Sequence, residues 1–120
     1  MNIELGSLPN PELNPNKRLH RMRLSHAKRE ARRQAWALAL EAGVPPAPIS
    51  RAHVTITFIA SDRVRRDLDN LFASMKSYID GLVDAGVVED DAATNVSYTI
   101  SYERGEKANT IVKIDALGRP

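Results

Sequence analysis

The chain has 120 residues, 42% of them hydrophobic and 27% charged, enough for one modest core and too few for two, so a multidomain enzyme is excluded and a single domain over 1–120 is expected. Cysteine is absent, which removes any disulfide framework, thiolate metal site or cysteine nucleophile and points to a reducing, cytoplasmic setting. The formal charge of +2 is unevenly spread: residues 1–60 carry nine Lys+Arg against four Asp+Glu, and residues 61–120 carry eight against eleven.

Near the N-terminus, Ile3 and Leu5 alternate with polar neighbours and suggest a short strand, followed by a Pro/Asn-rich connector from Leu8 to Asn16 that cannot stay helical. A first helix is expected from about Ser25, as its cap, to Ala42, with Trp36, Leu38 and Leu40 as apolar positions and Gly43, Pro45 and Pro46 as the stop. Lys17, Arg18, Arg21, Arg23, Lys28, Arg29, Arg32 and Arg33 crowd its beginning, opposed only by Glu30. Cations at a helix N-terminus are unfavourable, so either the helix starts nearer Lys17 or a polyanion offsets the cost.

His53 to Ala60 alternates like a largely buried strand, with Phe58, like Trp36, read as core. Asp67 to Ala85 reads as a second helix, apolar at Leu71, Met75, Tyr78, Ile79, Leu82 and Val83 and ended by Gly86. Val96–Tyr102 and Thr110–Ile114 alternate again around Gly105, which suggests a terminal hairpin. The order β-α-β-α-β-β gives an α/β fold of the α+β two-layer kind, a small mixed sheet with two main helices.

Arg65-Arg66-Asp67-Leu68-Asp69-Asn70, with Glu89-Asp90-Asp91 some twenty residues later, carries the most chemistry. In extended backbone Asp67 and Asp69 share a face and could converge on one ion, and hard oxygen ligands beside a cation and a basic surface suit Mg²⁺ chemistry on phosphodiesters. Against this, aspartates before a helix are commonly caps, and a straight helix would set its two ends roughly 25 Å apart at 1.5 Å per residue. Tyr98 and Tyr102 share a strand face with Ile100, as a core or dimer-interface stripe. No H-x-x-H pair or Gly-rich phosphate loop is present, so zinc and nucleotide cofactors lack support.

These residues resemble the RusA-type Holliday junction resolvases, crossover junction endodeoxyribonucleases of bacteria, prophages and phages. The resemblance runs from Leu8-Pro9 and Asn14-Pro15-Asn16-Lys17-Arg18-Leu19-His20 through the basic helix and Arg66-Asp67-Leu68-Asp69-Asn70 to Lys76, Asp80-Gly81-Leu82, Ala85-Gly86 and Asp90-Asp91. It implies a cytoplasmic homodimer that cuts four-way junction DNA by paired nicks in recombination and repair. It further implies Mg²⁺ (or Mn²⁺) held by Asp67, Asp69 and Asp91, with Asp90 as a further candidate, and Lys76 as the base-type or charge-stabilising residue. Arg65, Arg66 and the 17–33 segment would hold DNA phosphates. One departure is that Lys76 lies at i+7 from Asp69 rather than i+4, on the same helical face about one turn farther along, so its role requires local geometry to absorb that turn. Two other readings stay open, a non-catalytic basic DNA-binding or regulatory protein and a metal nuclease for other branched DNA.

Overall fold

The computed structural model describes residues 1–118; residues 119 and 120, part of the expected 1–120 domain, lie outside the described residues. Its elements are β1 (Asn2–Glu4), a 3-10 turn (Pro11–Leu13), α1 (Arg21–Ala42), β2 (Ala52–Ala60), α2 (Leu68–Ala73), α3 (Lys76–Asp84), β3 (Val96–Arg104) and β4 (Asn109–Ala116). The four strands form a mixed sheet in the order β1-β4-β2-β3, giving the α+β two-layer arrangement the sequence suggested.

Strand β2 lies in the interior of the sheet. Every second residue from Ala52 to Ala60 is buried, as its alternation requires of a strand with one face on the core. It pairs parallel with β3 (Ile56 opposite Ile100) and antiparallel with β4 (Ile56 opposite Val112). The expected terminal hairpin is therefore not formed, because β2, the most thoroughly buried strand, separates β3 from β4. The connection between them passes over the end of β2, where the Gly105 amide donates to the Ala60 carbonyl at 3.0 Å. A Cβ at Gly105 would stand 2.9 Å from Ile59 Cγ2, so the glycine that looked like a hairpin turn serves a close crossing.

Helix α1 starts at Arg21, one turn before the expected Ser25, and its cap is His20, whose Nδ1 accepts from the Met22 amide at 3.2 Å. Its buried residues are Ala27, Ala31, Ala35 and Ala39, one stripe at four-residue spacing. Trp36 lies off that stripe and is 42% exposed, and Leu40 is 45% exposed; the reading of Trp36 as core is corrected. The alanines allow α3 to approach closely, and Gly81 is the nearest point: a Cβ there would fall 2.2 Å from the Arg32 carbonyl oxygen.

The expected second helix is two. Helix α2 ends at Ala73, α3 begins at Lys76, and Ser74 and Met75 form the break. Both break residues are buried, and the Ser74 hydroxyl donates back to the Asn70 carbonyl at 2.8 Å. Met75, Tyr78, Ile79 and Leu82 then join Ile56, Phe58, Val112 and Ile114 in one core.

Candidate functional site

The break between α2 and α3 sets the geometry of the site. It puts Lys76 in the first turn of a new helix, where its ammonium donates to Asp80 Oδ1 at 2.7 Å and also to Asp91 Oδ2. The Asp80 contact is the i,i+4 pair of a helix face, whereas Asp91 comes from the loop after α3. Hydrogen bonds to Asp80 and then Asp91 hold the Lys76 pKa well above the usual lysine range. The ammonium is thereby held between two carboxylates. The same bond holds the Asp91 carboxyl below its ordinary value.

Around this pair stand Asp80 and Tyr98, which the sequence did not assign to the metal site. Asp80 entered the motif comparison but not the expected site, although the K-x-x-x-D spacing on a helix was a signal for it. Tyr98 meets Phe72 edge-on, ring centroids 4.9 Å apart; burial first, and the nearby Asp91 carboxylate second, raise its phenol pKa. One end of the Tyr98–Ile100–Tyr102 stripe therefore packs beside the candidate site.

Asp67 occupies the N-cap position of α2 in extended backbone, yet its side chain makes no capping hydrogen bond. It pairs with Arg65 at 3.1 Å and stays about half exposed. The cap explanation consequently fails for Asp67. Asp69 lies in the first turn and accepts from the Asn70 amide at 2.9 Å, and Asp90 accepts from the Asp91 amide at 2.8 Å.

The sequence-derived carboxylates are distributed over these positions. Among the described residues no group of three or more His, Cys, Asp or Glu side chains is placed to hold a metal ion. The donor type suits a hard divalent cation, but Asp91 faces the Lys76 ammonium and Asp67 faces Arg65, so the three-carboxylate arrangement is not assembled as it stands.

The ten basic residues sort by partner. Arg23 is bound to Glu12, Arg32 to Asp84, Arg65 to Asp67, and Arg66 to Asp62 through two bonds of 2.7 and 2.9 Å. Arg66 also donates to the Tyr102 hydroxyl at 3.2 Å, and its grip lowers the Asp62 pKa to about 2. Lys17, Arg18, Arg21, Lys28, Arg29 and Arg33 are exposed and have no ion pair among the described residues. They form a run of uncompensated charge along α1 and the segment before it.

Opposite α2, the Pro/Asn-rich connector closes a cleft of about 880 Å³ against α1, Arg65, Arg66, Asp67 and Tyr78. The sequence marked this connector only as irregular.

No protein-family model matches the chain. Among curated proteins it is similar to one described as uncharacterised from Xylella fastidiosa strain Temecula1, 35% identical over 85 residues. The match covers 68% of this chain and 56% of the relative, so the chain spans about half the length of the curated relative it matches. No helix among the described residues is long and apolar enough to cross a membrane.

Proposed function

We propose that the protein is a metal-dependent, structure-selective endodeoxyribonuclease of the RusA type that nicks four-way junction DNA. The observation that carries this reading is the Lys76–Asp91 pair. Two residues fifteen apart in sequence, both singled out for the same chemistry, meet, and on this reading the break at Ser74 and Met75 is the place where the extra turn before Lys76 is absorbed.

Asp67, Asp69 and Asp91 would hold Mg²⁺, and Asp91 would exchange its bond to Lys76 for one to the ion. Bound there, the ion would supply Lewis-acid stabilisation of phosphoryl oxygens and a more acidic water. Lys76, released toward the substrate, stabilises negative charge on a phosphate oxygen. Arg65 at the cleft rim and the unpaired cations of α1 hold backbone phosphates through contacts that position the strand without reading sequence. Paired nicks in a two-fold substrate call for two sites related by symmetry, hence a homodimer.

A synthetic four-way junction and a matched linear duplex, each incubated with Mg²⁺ or with chelator, test the proposal. Symmetric nicks in the junction alone, dependent on metal and lost in Asp69→Asn with binding retained, are expected. Junction binding indifferent to metal and without nicks would instead favour a basic DNA-binding protein, and equal cleavage of flaps and forks a general branched-DNA nuclease.

A further inference from the structure

Of the residues assigned to the chemistry, the cleft under the Pro/Asn-rich connector is lined by Asp67 and not by Lys76, Asp69 or Asp91. Its volume, about 880 Å³, lies in the ~300–1,000 Å³ range of pockets for small organic ligands. Its wall is built before any ligand arrives. The Asn10 amide donates to the Tyr78 hydroxyl at 2.9 Å, and the Asn10 side chain accepts from the Glu12 amide at 3.0 Å. Asn14 accepts from the Asn16 amide at 2.9 Å, and the Thr110 hydroxyl donates to the Ser7 carbonyl at 2.8 Å. These bonds fix a segment that its composition alone would leave irregular.

The lining has two chemistries. Leu8, Pro11 and Leu71 offer apolar surface, of the kind on which a flat ring can lie. Asn70 projects from the first turns of α2 into the same space, half-buried, and its side-chain amide has no hydrogen-bond partner among the described residues. An amide presents a donor and an acceptor side by side, the pattern that pairs with a base edge. Arg65 is 86% exposed at the rim beside Asp67, where a phosphate attached to such a ring could be met.

We propose that this cleft receives one unstacked nucleotide of the DNA strand, its base on the apolar wall with its edge at Asn70 and its phosphate at Arg65. The inference rests on the nuclease reading and deepens it, because it gives the enzyme a means of preferring particular bases next to the cut. Four-way junctions supply such nucleotides at low cost, since pairing and stacking are already interrupted at the crossover.

Two measurements test it. In the first, each of the four deoxynucleoside monophosphates is titrated to millimolar concentration while amide resonances are followed by NMR. Shifts confined to the cleft, at Asn10, Asn70 and Ser74, differing between bases and weakened about tenfold in Asn70→Leu, are expected from the loss of one buried hydrogen-bonding edge. In the second, 2-aminopurine is placed at the crossover of a junction held uncut in chelator. Its fluorescence should rise on binding to the wild type and stay low with Asn70→Leu, or with Ser7→Trp, which narrows the cleft, when each protein is present at a concentration that saturates the junction and both variants keep their wild-type circular dichroism. No shift with any mononucleotide, shifts confined to the basic face of α1, or an equal fluorescence rise in wild type and variants would each overturn the proposal. A wild type that binds no junction would refute the nuclease reading instead, and the mononucleotide titration would then decide the cleft by itself.

Discussion

Gly81→Ala is the sharpest test of how α1 and α3 position Lys76 and Asp80. A Cβ at Gly81 would lie 2.2 Å from the Arg32 carbonyl oxygen and 2.9 Å from Ala35 Cβ. The first distance falls about 1 Å short of the ~3.3 Å at which carbon and carbonyl oxygen normally touch. Because the obstructing atom is backbone in the middle of a long helix, relief requires the two helices to separate rather than a side chain to rotate. Overpacking of a well-filled core costs about 1–3 kcal/mol and sometimes more, whereas alanine's better helix propensity returns about 1 kcal/mol. With a backbone clash at the upper end of the range, the net loss should be about 2 kcal/mol. Urea denaturation would read this as a midpoint lowered by about 1–2 M with an unchanged slope. Adding Ala35→Gly should recover only part of the loss, since it removes the second clash and leaves the first. A Gly81→Ala protein as stable as wild type would refute the close α1–α3 approach and, with it, the explanation of the alanine stripe.

Three further outcomes are expected. Replacing Arg29 and Arg33 with alanine should flatten the salt dependence of junction binding by about one unit of log–log slope for each phosphate left without its cation, with little change in melting temperature; Arg32→Ala should lower stability as well, because Arg32 is engaged by Asp84. Lys76→Met leaves Asp80 and Asp91 without their shared cation, so the rise in melting temperature produced by millimolar Mg²⁺ or Mn²⁺ should be larger than in the wild type; an equal or smaller rise would mean that the ammonium does not occupy ground the ion needs. Asp91 has a folded pKa below its ordinary 3.8, so its contribution to stability is complete above that value and fades as pH falls through the lower folded one. The stability gap between wild type and Asp91→Asn should therefore be constant above about pH 5 and close in stronger acid, and a gap that persists there would sever it from the Lys76 bond.

What could be read from the sequence follows from how each signal arises. The strands were legible because alternation records which face meets the core, and β2 shows it residue by residue. Their pairing was not, since a glycine between two strands looks alike whether it turns a hairpin or clears a crossing over Ile59. Helix α1 was legible in extent but not in face: its buried side is alanine, which carries little hydrophobic signal, while the conspicuous Trp36 points away from it. The break at Ser74 and Met75 has no glycine or proline to announce it. For the site, the sequence brought forward Lys76 and Asp91, which meet, and Asp67 and Asp69, which join no three-carboxylate group; the ordered connector and its cleft were invisible because they depend on Tyr78 and Thr110, far away in the chain.

The position of β4 also has a consequence for how the molecule comes to be folded. It is paired on one side with β1 and on the other with β2, and the Met1 amino group donates to the Ile114 carbonyl across 113 positions of sequence. Until residues 109–116 are in place, β1 has no neighbour and β2 has an open edge, so the apolar residues of both have no finished sheet to join. Pairings of such long sequence separation must overcome loop-closure entropy before they contribute stability, which slows folding. A nascent or truncated chain without β4 exposes the apolar edge of β2, where a second unfinished copy can pair.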